Sequence, residues 1–225
     1  ALKTLVVMPT YNESQSLGET VRNLFASVND VDLLIVDDAS PDGTGDVADS
    51  IAASDKRVSV LHREGKGGLG AAYVAGFKFA ESRGYEFVVE MDADGSHRGV
   101  DLPRLLALAG EHDLVIGSRY VAGGGSHGWS LSRRLISRVG NLYTSLILGA
   151  GIRDITAGFR VYRLSFLLPL LDGVAAHGYA FQVELAWRSK LAGGRIIEAP
   201  ILFEERAHGN SKMSSAIVRE ALWLT

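Results

Sequence analysis

Short apolar runs alternate along this chain with longer stretches whose apolar positions recur every three or four residues. Residues 3–8 are the first run, apolar after Lys3 and Thr4 and closed by Pro9, and they predict a buried strand. Leu17, Val21, Leu24, Phe25 and Val28 follow at helical spacing, with Ser16-x-x-Glu19 in front as an expected capping box. Leu33–Val36 predicts a second strand ending in Asp37-Asp38. Turn residues 39–44 and a helix to about Ser54 follow it. Arg57–His62 predicts a third strand, and a helix runs from the segment Gly65–Gly70 to about Arg83. Tyr85–Met91 is a fourth strand, 101–111 a helix and Asp113–Gly117 a fifth strand. Strands alternating with helices over short loops predict an α/β domain. Its sheet is mostly parallel and is covered by helices on both faces.

The second half is less regular. Residues 121–128 are rich in glycine. A helix is predicted over 130–149, with Leu131, Leu135, Val139, Leu142 and Leu146 in one stripe and Arg133, Arg134 and Arg138 crowding its first half. That pattern suits two placements: packing on the core with a solvated basic face, or lying on an anionic membrane surface. Residues 158–163 predict a strand, and 164–171 and 181–191 predict helices. Residues 196–203 predict a strand in which Pro200 marks a sheet edge. A polar loop over 204–212 leads to an amphipathic helix from 213, a second candidate membrane-surface element. No repeat, low-complexity segment or linker interrupts the chain, so 1–225 reads as one domain.

Composition narrows the classes. With 225 residues, 47% hydrophobic and 22% charged, the chain can bury a full core. A net charge of −3 supplies no basic field, and no nucleic-acid partner is expected. The absence of Cys excludes disulfides and thiolate zinc sites and fits a reducing compartment. The apolar run Leu5–Met8 stops at Pro9, so no signal peptide is read. The longest uncharged, mostly apolar run, Val139–Ile152, has 14 residues and is too short to cross a bilayer.

Candidate chemistry gathers at strand ends. Asp92 and Asp94 stand i, i+2 at the end of the fourth strand, which puts both carboxylates on one face, and Gly95 lets the backbone turn away. Such a pair suits Mg²⁺, which takes one or two protein carboxylates and completes its shell with water and substrate phosphate. It also suits a solvated turn. A calcium loop counted from Asp92 would need Gly at position six and Glu at position twelve, where His97 and Pro103 stand. The nucleophile motif of haloacid-dehalogenase-like phosphatases normally follows the first strand of its fold, not the fourth. Tyr11, Glu13, Asp38, Asp92, Asp94 and Arg119 all fall beyond carboxyl ends of predicted strands, where open α/β sheets bind ligands. Gly65-Lys66-Gly67-Gly68-Leu69-Gly70 contains Gly-x-Gly-x-x-Gly, with Glu90 about twenty residues on. It reads first as a loop with a close helix–sheet contact, with Lys66 near a phosphate. A nicotinamide-dinucleotide site is the rival, although that fingerprint belongs on the first βα turn. Gly67 after Lys66 excludes a Walker loop.

The motifs Pro9–Glu13, Asp37–Thr44, Met91–Asp94, Gly117–Tyr120, Asp154-x-Thr-Ala-Gly-Phe-Arg160 and Phe203-x-x-Arg206-x-x-Gly209-x-Ser-Lys-Met213 occur in order over nearly the whole chain. Together they resemble the polyprenyl-phosphate (dolichyl-phosphate) mannosyltransferases, of the large inverting glycosyltransferase family with the GT-A fold. The resemblance implies transfer of mannose from GDP-mannose to a polyprenyl phosphate with inversion. UDP-glucose is the alternative donor, and a nicotinamide-dependent oxidoreductase is a remoter one. It implies that Pro9, Tyr11, Glu13, Val36 and Asp38 hold the nucleoside end, and that Asp92, Ala93 and Asp94 flank the diphosphate. Asp94 would ligate Mg²⁺ or Mn²⁺, with Ser96 standing where relatives often carry a Gln of the metal shell. It further implies that Arg119, Arg133 and Ser137 grip the acceptor phosphate and that Arg206 and Lys212 close over the donor. Asp92, Asp94 and Arg119 are then the catalytic set. His97, Gln182 and Glu184 receive no role. Relatives often end in transmembrane segments, which this chain lacks up to Thr225. The expectation is therefore a cytoplasmic protein peripheral at the inner face of a membrane, trimmed or served by a separate membrane anchor.

Overall fold

The computed structural model describes residues 3–174 and 179–205. The first half alternates as read. It runs β1 (Thr4–Thr10), α1 (Leu17–Ser27), β2 (Asp32–Asp37), α2 (Thr44–Ser54), β3 (Val58–His62), α3 (Leu69–Ser82) and β4 (Phe87–Glu90). After a 3₁₀ turn come α4 (Leu102–Ala109), β5 (Leu114–Ser118), the two-residue β6 (Gly125–Ser126) and α5 (Leu131–Ile147). Then follow β7 (Arg160–Arg163), α6 (Leu164–Leu167) with a 3₁₀ turn behind it, α7 (Tyr179–Leu191), β8 (Ile196–Pro200) and β9 (Leu202–Phe203).

Seven strands form one sheet in the order β3-β2-β1-β4-β7-β5-β8. All neighbours pair in parallel except β7, which is antiparallel to both β4 and β5. The sheet is mostly parallel, and the carboxyl ends of β1, β2, β4 and β5 share one edge. Two apolar layers sandwich it. Leu17, Val21 and Leu24 of α1, Ala48 of α2, and Leu102 and Leu105 of α4 cover one face. Tyr73 and Phe77 of α3, Leu164 of α6, and Phe181 and Leu185 of α7 cover the other. These side chains are the helical stripes that the spacing marks. Their burial holds the sheet rigid beneath its edge.

Three local expectations change. The capping box does not form. Ser16 has helical dihedrals and makes no side-chain cap; its hydroxyl donates instead to Glu13 Oε2 at 3.0 Å. The strand read over 196–203 breaks after Pro200. Proline has no N–H for the ladder, β8 lies at the sheet edge as Pro200 indicates, and Leu202–Phe203 pairs separately with β6. The third change is α5. It turns Asn141 and Ser145 inward and exposes Leu131, at 81%, Leu135, Ile136, Val139, Leu142, Leu146, at 71%, and Ile147. The apolar stripe faces out, so the core-packing placement does not hold. No described helix is long and apolar enough to cross a membrane. The helix expected from 213 lies outside the described residues.

Candidate active site

The loops after β1 and β2 interlock at the shared edge. Asn12 (φ 60°) and Ala39 (φ 57°) are the non-glycine residues with left-handed backbone among those described. They flank this edge, where strain of that kind is held only by surrounding bonds. The bonds are present. The N–H of Asn12 donates to Ser40 Oγ at 3.1 Å, that of Glu13 to Thr44 Oγ1 at 2.9 Å, and that of Ser14 to Asp42 Oδ2 at 3.2 Å. Burial alone would raise the Asp42 carboxyl, but hydrogen bonds from Thr44 and Ser14 hold it down to about 2. Tyr11 carries the Lys66 ammonium 3.8 Å over its ring, which brings the glycine-rich loop against the first motif.

Asp38 turns inward. Its carboxylate pairs with Arg63 and accepts the N–H groups of Gly67 and Gly68 at 2.9 and 2.8 Å. The backbone donors that a dinucleotide pyrophosphate would need are therefore engaged by the chain's own carboxylate, which argues against the dinucleotide site at Gly65–Gly70. The same bonds make Asp38 an anchor of that loop. Val36 is fully buried within the second apolar layer, so its side chain packs the core and does not face the edge. Pro9 is half-buried in register with it.

The Asp92/Asp94 turn is fastened from several sides. Gly95 takes φ 79°, a left-handed turn. Asp94 is buried, and its Oδ1 accepts the Ser96 N–H at 2.9 Å and the Ser96 hydroxyl at 2.5 Å. The Ala93 carbonyl accepts the Thr20 hydroxyl at 3.1 Å, tying the turn to α1. The Asp92 N–H donates to His97 Nδ1 at 3.0 Å. That nitrogen is thus the acceptor, and the ring's proton sits on Nε2, 3.9 Å from Asp92 Oδ2. His97 is buried, stacked on Phe159 at 5.0 Å and met edge-on by Phe203. Spacing on the sequence had given it no role; its position in the loop directly after the Asp pair was the available signal.

Arg119 leaves β5 at the same edge. Its N–H and Nε donate to Asp154 Oδ2 at 2.9 and 2.8 Å, and its Nη2 donates to Oδ1 at 2.6 Å and to Thr156 Oγ1 at 3.1 Å. Asp154 is fully buried, and its own N–H donates to Glu198. Asn141 of α5 accepts from the N–H and hydroxyl of Thr156, and Tyr120 donates to Ser137 Oγ at 2.5 Å. A polar seam thus joins Arg119 to the inward face of α5. Arg133, in the first turn of α5, pairs with Glu205 at 2.9 Å. Arg206 and Lys212 lie outside the described residues.

Beneath the Asp pair, Glu90 and Arg160 face each other across β4 and β7. Arg160 is wholly buried and donates to the carbonyls of Ile155, Ala157 and Gln182, clasping the turn that carries Asp154. Burial pushes the Glu90 carboxyl up to about 7, although Arg160 and the nearby Gln182 amide favour its charge and Asp92 opposes it. Neither Glu90 oxygen closes a well-formed hydrogen bond among the described residues. Glu184 pairs with Arg188 one turn on. Among the described residues no three His, Asp or Glu gather as a ready-made metal cluster.

Comparison with known proteins agrees with this architecture. The model of glycosyl transferase family 2 matches residues 5–169. The chain is 52% identical over 222 residues to the undecaprenyl-phosphate mannosyltransferase of Micrococcus luteus, covering 98% of this chain and 91% of that protein. It is 49% identical over 224 residues to the polyprenol monophosphomannose synthase of Mycolicibacterium smegmatis, covering 98% and 84%. Glucosyl-3-phosphoglycerate synthase from Mycobacterium tuberculosis, solved with Mn²⁺, UDP-glucose and phosphoglyceric acid, superposes with TM-score 0.72 at 21% identity over 99% of this chain and 78% of that one. A mannosyltransferase from Pyrobaculum calidifontis, solved with GDP-mannose and Mn²⁺, gives 0.66 at 19% identity over 98% and 60%. At those identities the structures speak for the fold alone, which is GT-A. With the matched model spanning most of the chain and relatives near half identity along almost all of it, this chain belongs to glycosyl transferase family 2.

Proposed function

We propose that this protein transfers mannose from GDP-mannose to a polyprenyl phosphate, with inversion at the anomeric carbon. The observation that carries the reading is the near-full-length likeness to two relatives whose names specify mannose transfer onto a polyprenyl carrier. The site supports it with a carboxylate pair on one strand end and arginines near the neighbouring strand and α5.

Asp94, held by Ser96, and Asp92, held by His97, offer hard oxygen donors on one turn. That donor set, with no further ligand clustered beside it among the described residues, suits Mg²⁺ or Mn²⁺ and would leave positions for diphosphate and water. When bound, such an ion neutralises charge developing on the leaving diphosphate. The residues around it then position two anions. A phosphate monoester has a second pKa of about 6 and is mostly dianionic near neutral pH, so its oxygen can attack without giving up a proton. The new bond forms from phosphate oxygen to C1 as the C1–O bond to GDP breaks on the opposite face. An α-linked donor sugar becomes β-linked. Arg119 and Arg133 oppose the repulsion between the two anions. Asp154 holds Arg119 and does not act as a base. Arg206 and Lys212 are the further donor contacts of this reading.

The protein works peripherally at a membrane, at its cytoplasmic face, with or without a separate anchor. Of the ten large apolar side chains that are exposed among the described residues, eight belong to α5, beside the exposed Arg134 and Arg138. An apolar face with flanking cations fits an anionic bilayer surface.

The test is incubation with GDP-mannose, a polyprenyl phosphate and Mn²⁺. A lipid-linked mannose that is acid-labile and β-configured by NMR is expected. Transfer from UDP-glucose in preference, or saturable metal-independent NAD binding, would overturn the reading.

A further inference from the structure

Trp129 stands two residues ahead of α5 and is 7% exposed. Gly128 before it takes φ 81°, and a Cβ there would come within 2.8 Å of Glu205 Cβ, so the chain needs glycine to seat the indole. Both arginines assigned to the acceptor approach this one ring. The Arg133 guanidinium lies 4.2 Å from its centroid and that of Arg119 lies 5.4 Å away. Phe203 meets it edge-on at 5.4 Å. Two cations near each other repel, and the electron-rich ring offsets that repulsion. The indole Nε1–H is buried and has no hydrogen-bond partner among the described residues. Buried donors are rarely left unused, and where they are, a ligand is a ready explanation.

The two arginines are held unequally. Arg119 is fixed by a fully buried Asp154. Arg133 is held by Glu205, whose side chain is half exposed. A dianion competes well for a guanidinium whose present partner is a singly charged, solvated carboxylate. Arg133 also lies in the first turn of α5, which the Ser130 hydroxyl caps, where the helix end favours negative charge.

We propose that Trp129 is the platform of the acceptor-phosphate site. Its ring positions the guanidiniums of Arg119 and Arg133, its Nε1–H is a further donor to the phosphate, and Glu205 occupies Arg133 until the phosphate displaces it. This rests on the acceptor reading above.

The experiment uses the full chain and farnesyl phosphate as a short acceptor, with inorganic phosphate as a second arm. In a variant with Trp187→Phe and Trp223→Phe, Trp129 emission changes saturably with farnesyl phosphate and not with GDP-mannose. Inorganic phosphate gives the same change at higher concentration. Trp129→Phe keeps a ring and raises the acceptor KM severalfold, while Trp129→Leu raises it by about tenfold or more. Donor affinity stays within about twofold in both, because no donor contact is touched. Glu205→Gln lowers the acceptor KM by about threefold or more, since an anionic competitor is gone. A folded Trp129→Leu with unchanged acceptor KM, or with donor affinity falling in parallel, overturns the proposal. If Trp129→Leu does not fold, an unchanged or raised acceptor KM in Glu205→Gln overturns it. Farnesyl phosphate binding that is intact in every variant defeats this inference alone. Wild-type protein that binds no farnesyl phosphate defeats the acceptor reading and this inference with it.

Discussion

Asp154→Asn is the sharpest probe of how the site is held. The wild-type carboxylate receives three donors of Arg119: the N–H and Nε on Oδ2 and Nη2 on Oδ1. An Asn side chain has one acceptor oxygen. Turned toward the N–H and Nε, it sets its own NH₂ against Nη2, where 2.6 Å now separates donor from acceptor. Turned the other way, it loses two bonds. In either pose a nearly buried guanidinium loses its counter-charge. Breaking one side of a buried pair costs about 3–5 kcal/mol. For a domain of this size each kcal/mol is worth about 2–4 °C, so the melting temperature should fall by roughly 6–20 °C. Calorimetry at neutral pH measures it, and Arg119→Met in the same background should recover part of the loss, because a neutral pair replaces an orphan charge. Turnover should fall through misplacement of Arg119, while the pH–rate profile of the residual activity keeps its shape. A melt within 2 °C of wild type would refute the structural argument. A stable variant that binds donor but has lost an ionisation from its profile would make Asp154 a base, and the proton-free attack would be wrong.

Asp94→Asn should keep the fold yet lose Mn²⁺-dependent GDP-mannose binding by at least about tenfold in calorimetry, since a neutral amide is a weak ligand for a hard cation. Glu90 has a folded-state carboxyl raised from 4.5 to about 7, so the folded protein binds more protons than the unfolded chain between those values, and its stability falls as pH rises through that window. Glu90→Gln should remove this fall. Denaturant titrations should find it more stable than wild type above pH 7, by an amount on the order of 1–3 kcal/mol, and little different near pH 4.5. Changing Leu135, Leu142 and Leu146 to Ser should leave the melting temperature within about 2 °C, because all three are exposed. Affinity for anionic vesicles in cosedimentation should drop by roughly 1000-fold or more, as each inserted leucine is worth about 1.5 kcal/mol or more.

Much of the scaffold was legible because burial imposes a period. The stripe Leu17, Val21, Leu24 meets one apolar layer, the runs before Pro9, Asp37 and Asp92 meet both layers by turns, and a residue that must face a layer leaves its spacing in the chain. Strand direction leaves no such mark. Nothing in Arg160–Arg163 distinguishes an antiparallel β7 from a parallel one, because alternation is the same either way. The candidate site divides along a similar line. Asp92, Asp94 and Arg119 stand at strand ends and were visible by position. Their fastenings were not, since His97 to Asp92 depends on a loop's path, and Arg63 to Asp38 and Asp154 to Arg119 join residues 25 and 35 apart with no periodic signature. For the same reason the bonds from Gly67 and Gly68 to the Asp38 carboxylate left no mark in the sequence.

The helix α5 shows where a correct period still leaves the sense open. Its apolar stripe at 131, 135, 139, 142 and 146 has the spacing of a core helix, and a moment says only that two faces differ. Which face turns inward depends on what waits there. Here the waiting surface is polar: Thr156 offers its N–H and hydroxyl to Asn141, Tyr120 offers its hydroxyl to Ser137, and the N–H of Ile152 needs Ser145. Burying the leucines against it would strand those donors, at about 1–3 kcal/mol for each group left unpaired. The seam thus selects the orientation, and Arg119, bonded to Thr156, ties that same seam to the strand-end chemistry. An enzyme whose acceptor is a lipid head group gains from this arrangement. The helix proposed to meet the bilayer and the residue proposed to grip the phosphate are held in one hydrogen-bonded register, so on that reading the depth of the helix in the membrane would fix the height at which the phosphate is presented to the donor.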